Sequence, residues 1–185
     1  LDIIDMGGSD GADVISTATT SSDADRIVSF ATTANDYDYN GALSNGTGSV
    51  SGGIAATEIT TATTIAGGLA AGGAGDDIVF IASTQIAGAA LDAVEGSLTS
   101  AKITAAEAAL VADGGILGGA IANLDDVLGT TDAALFVIST DSGSFAIRVT
   151  NTDTTVANTL TQDEIELVAV FDNGSGTQLV AADII

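Results

Sequence analysis

Short runs of alternating apolar and polar residues occupy both ends of the chain, and apolar residues at helical spacing occupy its middle. Asp25-Arg26-Ile27-Val28-Ser29-Phe30 alternates like a strand, which predicts Ile27 and Ser29 on one face and Val28 and Phe30 on the other. Residues 44–56 are small and turn-rich and predict a loop or short edge strands, while Thr57–Ile65 is rich in Thr and Ile and predicts a strand. From Thr84 to Leu128 Ala and Leu dominate. Ile86, Leu91, Val94 and Leu98 recur at helical intervals there, and a second helix is expected over Thr99–Ala112, with Ile103, Ala106 and Leu110 inward and Asp113-Gly114-Gly115 as its stop. A third helix is expected over Ile116–Leu128, interrupted at Gly118-Gly119. The last third returns to strands: Ala134–Ser139 and Phe145–Thr150 flank the turn residues Thr140–Ser144 as a hairpin. After the polar connection Asn151–Asp163, Glu164–Phe171 becomes wholly apolar, as a buried strand does.

The pattern predicts a mainly β chain with an inserted Ala-rich helical segment, an α+β protein. Residues 1–83 form a β-rich part, 84–128 the helical insertion, and 129–185 a hairpin and meander packed with 1–83 as one domain. A β-sandwich or short β-roll-like sheets are the expected architecture. The helices carry almost no basic residue, so a membrane-surface role is disfavoured.

Charge changes the picture most. The 185 residues hold 25 Asp and Glu against three bases (Arg26, Lys102, Arg148), a formal net charge of −22. Such a surface repels nucleic acid and anionic lipid, so neither is an expected partner. It also strains the compact state by self-repulsion unless cations screen it, which fits a saline or calcium-rich exterior. Aromatics make up only 4%, with no Trp, which argues against a stacking platform for bases or sugars. Without His or Cys there is no thiol nucleophile, imidazole base or zinc site of the usual kind, and no disulfide. No apolar run is long enough to span a bilayer, so no membrane insertion is expected. The chain starts at Leu1 without an initiator Met or signal peptide, and reads as a processed or excised portion.

Candidate chemistry centres on acids set among glycines. Gly72-Gly73-Ala74-Gly75-Asp76-Asp77-Ile78-Val79-Phe80 fits the G-G-x-G-x-D-x-U-x calcium nonapeptide of parallel β-helices at every fixed position. Its glycines allow the backbone to turn carbonyls toward one point, Asp77 supplies a hard carboxylate oxygen beside Asp76, and Ile78–Phe80 leaves as an apolar strand. Gly7-Gly8-Ser9-Asp10-Gly11-Ala12-Asp13-Val14-Ile15 is a looser version with one residue inserted, in which Asp5, Asp10 and Asp13 offer oxygens. Asp36-Tyr37-Asp38-Tyr39-Asn40-Gly41 has two readings. As D-x-D-x-N-G it matches the first half of an EF-hand loop, with Asp36, Asp38 and Asn40 on Ca²⁺, although Thr47 stands where a bidentate Glu belongs. As a strand it turns Tyr37 and Tyr39 inward and Asp36, Asp38 and Asn40 to solvent.

Taken together, the glycine–aspartate turns, the D-R-I-V-S-F strand, the Ala-rich helical insertion, the hairpin and the terminal L-V-A-A-D-I-I resemble the C-terminal region of RTX-type (repeats-in-toxin) proteins. The closer likeness is to large bacterial surface-layer and adhesin-like members. The resemblance implies export by type I secretion through an uncleaved C-terminal signal, and folding outside the cell when Ca²⁺ binds. It makes Asp77 and the carbonyls of the Gly73–Gly75 turn calcium ligands, and Asp13 similarly. Neither a tandem nonapeptide array nor a metalloprotease motif is present in this sequence.

The expected function is a secreted, calcium-binding structural protein of the bacterial cell surface, self-assembling into a layer or extracellular filament and possessing no enzymatic activity. Its expected partners are copies of itself, joined through strand edges or calcium bridges, and cell-surface polysaccharide. The alternative is the C-terminal secretion and folding module of a larger adhesin or exoenzyme. An enzyme using paired carboxylates, Asp36 with Asp38 or Asp125 with Asp126, ranks below both, because adjacency in sequence does not set the separation that glycoside hydrolysis needs.

Overall fold

The computed structural model describes residues 2–6, 14–17, 24–30, 34–39, 43–44, 49–50, 59–62, 78–82, 88–96, 98–112, 115–118, 120–122, 133–140, 143–152, 157–172 and 179–184. Among them strands outnumber helical residues, and a mixed sheet organises the rest, as the alternating pattern leads one to expect.

The centre of that sheet comes from the C-terminal third. Strands β10 (Ala133–Ser139) and β11 (Ser144–Thr150) form the expected hairpin, from Ala133 opposite Thr150 to Ser139 opposite Ser144. Its turn is tied by Thr140, whose N–H and Oγ both donate to the Gly143 carbonyl, at 2.8 and 2.9 Å. Strand β13 (Ile165–Asp172) pairs antiparallel with β11. The register slips between Ala146 and Ile147, so Val168 is an extra residue and Val168 and Ala169 both join one core cluster. Every residue of β10 is buried, which explains why Ala134–Ser139 lacks alternation: both faces of the sheet are covered.

One face carries the helices. α1 (Gly88–Ala93) and α2 (Ser100–Val111) cover it, with Ala90, Val94, Leu98, Ile103, Ala106 and Leu110 packed on Phe136, Phe145, Ile147 and Leu167. Thr99 caps α2 by accepting the Lys102 N–H at 3.3 Å. Past the helix the chain folds back under its own end, the Leu117 N–H reaching the Leu110 carbonyl at 2.7 Å. A side-chain carbon at Gly118 would collide with the Ala112 carbonyl, so glycine is required by this close approach. The expected third helix is therefore absent where it can be judged: residues 116–118 turn, and Ala120–Ala122 (β9) pairs with Ala157–Thr159 (β12) instead. Small residues that suit a helix by composition also suit a tight return followed by a short strand.

The opposite face carries a second, smaller sheet, and here the two ends of the chain meet. β1 (Ile3–Asp5) and β3 (Asp25–Val28) lie parallel in the main sheet, with Ile3 opposite Arg26. β2 (Val14–Thr17) and β4 (Asp36–Tyr39) lie parallel in the second, with Val14 opposite Asp36. The N-terminal chain thus alternates between two stacked sheets, each circuit laying its strands beside those of the circuit before. The C-terminus adds a third rung: β13 runs parallel to β3, and Ile184 bridges in parallel to Tyr37. Strands β1 and β3 thus lie in the same sheet as β10, β11 and β13.

The remaining members join beyond β10. β8 (Ile78–Ala82), the apolar exit of the nonapeptide, runs parallel to β10 and has β7 (Ile59–Ala62) on its other side. β5 (Leu43–Ser44) and β6 (Ser49–Val50) form a short hairpin near Ala133.

One face assignment changes. Ser29 has φ of 58°, a left-handed conformation that ends β3 and resets the alternation. Phe30 consequently joins Ile27 in the cluster between the sheets rather than facing away from it. There Phe171 of β13 meets Phe30 edge-on at 5.2 Å and Tyr37 edge-on at 5.0 Å between centroids. Phe171→Ala removes both ring contacts and leaves a cavity between the layers. The expected cost is about 3–5 kcal/mol in urea unfolding, with Phe171→Leu losing markedly less.

Candidate functional site

Of the residues singled out for calcium, Asp10, Asp13, Asn40, Gly73, Gly75, Asp76 and Asp77 lie outside the described residues. Asp36 and Asp38 lie inside, and for them the strand reading holds. β4 is extended, with Tyr37 and Tyr39 buried and Asp36 and Asp38 half-buried on the alternate positions. Side chains two apart on a strand stand side by side rather than converging, so the EF-hand reading gives way at these positions. Among the described residues no group of three or more His, Cys, Asp or Glu gathers as a metal centre.

The structure instead brings together acids that are far apart in sequence. The Tyr37–Ile184 bridge carries Asp183 alongside Asp36. Asp183 ends a 3₁₀ turn (Ala181–Asp183) and is 3% exposed. Its Oδ2 accepts the Val180 N–H at 2.8 Å. Burial pushes its carboxyl up; the bond from Val180 opposes that shift and the neighbouring Asp36 charge adds to it, leaving the group at about 6. Nearby, Asp38 Oδ1, the Tyr39 hydroxyl and both polar atoms of the Asn35 side chain are buried without a hydrogen-bond partner. Burial also pushes the Tyr39 phenol up, against the Arg148 charge and together with that of Glu166.

Two further carboxylates serve the scaffold. Glu107 on α2 accepts the Leu167 N–H at 2.9 Å, next to the bulge and before β3 begins to pair with β13. Burial raises its carboxyl, with the Leu167 bond opposing. Glu164 does the reverse. Its Oε1 accepts from the Thr152 N–H and hydroxyl, at 3.1 and 2.5 Å, and its Oε2 from the Thr161 N–H and hydroxyl, at 2.9 and 3.1 Å. Burial opposes ionisation there, but the four bonds outweigh it and hold the group below the ordinary carboxylate range. The Thr161-x-x-Glu164 spacing before an apolar run is a capping-box signature, a local signal that could have located it. Asp183 has no such signal, because its surroundings depend on register across the molecule.

All three bases are engaged within the fold. Arg26 pairs with Asp172 and donates to the Gly96 carbonyl, Arg148 pairs with Glu166 at 3.0 Å, and Lys102 donates to the Glu95 carbonyl. The excess surface charge is thus negative with no lone basic side chain to recruit an anion, a surface suited to cations. No described helix is long and apolar enough to cross a membrane. Comparison with protein-family models, curated proteins and solved structures gives no match to this chain.

Glu164 supplies a test with a definite sign. A carboxyl lowered in the fold contributes stability above its unfolded value, and that contribution disappears as pH falls through the folded one. Glu164→Ala also leaves the Thr152 and Thr161 N–H groups without their acceptor, and is expected to cost about 1–3 kcal/mol at neutral pH. In urea titrations the gap between variant and wild type should narrow as the medium is made acidic.

Proposed function

We propose that this protein is a secreted, calcium-binding structural component of a bacterial cell surface, assembling with copies of itself into a layer or extracellular filament. The observation that carries the reading is the parallel winding of β1 to β4 between two sheets. Its first connection coincides with the glycine–aspartate stretch that contains Asp10 and Asp13. The second such stretch, with Gly73, Gly75, Asp76 and Asp77, runs directly into β8, itself a parallel strand. A β-roll-like coil turns sharply at such points, where glycine conformations and converging carbonyls make a hard-oxygen cation site. A net charge of −22, with every base engaged internally, gives Ca²⁺ the further task of relieving self-repulsion.

Assembly through a donated C-terminal strand fits poorly with the fold, because Leu179 and Ile184 are buried in their own chain at 1% and 5% exposure. The opposite end suits it better. β1 ends the main sheet's strand order and β2 flanks the second sheet, and on them Ile3 and Val14 are 48% and 57% exposed. Pro is absent from the chain and β1 holds no Lys, so two common protections of a sheet edge are missing. Acids bridged by Ca²⁺ would offset repulsion between such edges.

Two outcomes test this reading. Asp77→Ala should weaken Ca²⁺ binding in calorimetry and reduce the rise in melting temperature that calcium confers, since ligand at a hundredfold over Kd stabilises by about 2.7 kcal/mol. Unchanged binding would remove Asp77 from the site. In EDTA at matched ionic strength the wild-type chain should melt lower than in calcium and scatter light as a monomer. Wild-type protein that stays monomeric at high concentration with calcium in excess would refute self-assembly.

A further inference from the structure

The main sheet ends on two strands that run the same way. β1 is parallel to β3, and β3 to β13. β13 and β10 are each antiparallel to β11 and so run together. β8 is parallel to β10, and β7 to β8. β1 at one end therefore shares its direction with β7 at the other. Among the described strands, β1 pairs with β3 alone and β7 with β8 alone. The β5–β6 hairpin also lies beyond β10, but it meets β10 only at Ala133 and its strands are two residues long.

The backbone of β1 is set for one more parallel strand. The Asp2 carbonyl accepts from the Arg26 N–H at 2.9 Å, and the Met6 N–H donates to the Val28 carbonyl at 3.0 Å. Peptide groups alternate in direction along a strand, so Asp2, Ile4 and Met6 turn theirs toward β3 while Ile3 turns its own outward. The Ile3 side chain is also 48% exposed. Such an edge is a template for a strand of another chain.

Charge selects which strand that is. Asp2 and Asp5, both exposed, bracket Ile3 and Ile4. A symmetric joint of two β1 strands brings both acids of each copy to one seam, in a chain already at −22, and like charges across a ladder repel. β7 is Ile59-Thr60-Thr61-Ala62, an uncharged strand rich in the β-branched residues that favour pairing. It holds neither Pro nor Lys to guard its edge. A β7–β7 joint is equally uncharged, but it leaves every β1 edge and its Ile3 uncovered.

We propose that the β1 edge of one copy pairs in parallel with the β7 edge of the next, a joint that presupposes the self-assembly proposed above and gives it a direction. The two edges differ and lie at opposite ends of one sheet, so the contact is head-to-tail and repeats from copy to copy. Every copy then points the same way, and the main sheet runs on through a polar filament instead of closing into a two-fold dimer.

The chain contains no Cys, so thiols placed at the joint report it without background. Ile3→Cys protein is mixed, with calcium in excess, with Thr60→Cys or Thr61→Cys protein and treated with a short bis-maleimide. The mixtures should cross-link into dimers and each variant alone far less, while a chain carrying Ile3→Cys and Thr60→Cys together should give a ladder of multimers. Ile3→Pro is an independent test. Its ring replaces an N–H that turns away from β3, so the fold keeps its pairing and its melting temperature, but the protein alone should not polymerise. Added to wild type it should act as a chain terminator, because its intact β7 edge still joins a growing β1 end, and light scattering should show polymers several-fold shorter. Calcium-driven polymers that give no mixed cross-link, or that Ile3→Pro leaves at full length, would overturn the β1–β7 joint while self-assembly stands. Wild-type protein that stays monomeric would overturn both.

Discussion

Parallel pairing of β3 with β13 joins the two ends of the chain, and most of the remaining organisation depends on it. It lets the main sheet run from the N-terminal coil into the C-terminal hairpin, with Asp25 opposite Ala169 and Val28 opposite Asp172. Phe171 lies in that pairing and carries its ring into the gap between layers, where Phe30 and Tyr37 close on it edge-first. The Arg26–Asp172 ion pair flanks the same strands. Remove this join and β1 to β4 lose the wall they stack on, while the hairpin keeps α2 on its other face.

Acidic residues are used in opposite senses within one molecule. Glu164 is surrounded by donors and favours the ionised form, so it ties the approach to β13 most firmly at neutral pH. Asp183 is buried beside another carboxyl and favours the protonated form. Glu107 lies between them in role, a buried carboxyl that satisfies the N–H of Leu167. The same residue class thus clamps one end of β13 and strains the segment that follows its other end. Burial and donor count set this difference, since the net charge of the chain acts on all of them alike.

Local pattern carried some of this and long-range register carried the rest. The hairpin was legible because Thr140–Ser144 interrupts two apolar runs, and α2 because Ile103, Ala106 and Leu110 fall on one face behind a Thr cap. Tyr37 and Tyr39 were legible as an inward row, and β4 follows that alternation against the EF-hand-like spacing of its acids. Ser29 was not: one left-handed residue moves Phe30 across the sheet, and nothing in D-R-I-V-S-F announces it. Nor could the sequence tell that the apolar terminus returns to Tyr37 of its own chain. β9 and β12 escaped notice because Ala-Ile-Ala and Ala-Asn-Thr have no period to read in three residues. The glycine–aspartate stretches, the most specific sequence signal, lie outside the described residues, whereas β8, which follows the second of them, was anticipated as its apolar exit.

The Ser139 hydroxyl donates to the Leu179 carbonyl and the Leu179 N–H donates to the Ser144 hydroxyl, a hold on this residue with a consequence in time as well as in space. β3 and its neighbour in the main sheet, β13, lie far apart in sequence. Tyr37 and Ile184, which bridge at the second sheet, lie further apart still. Contacts so distant in sequence form late and slowly, because their loop-closure entropy is met before any packing is gained. β1 to β4 therefore gain this packing late in folding. A chain cut short before Leu179 keeps two buried hydroxyls without their peptide and a void between its sheets. Folding in this architecture therefore waits on Leu179–Ile184, the segment that fills the gap between the two sheets.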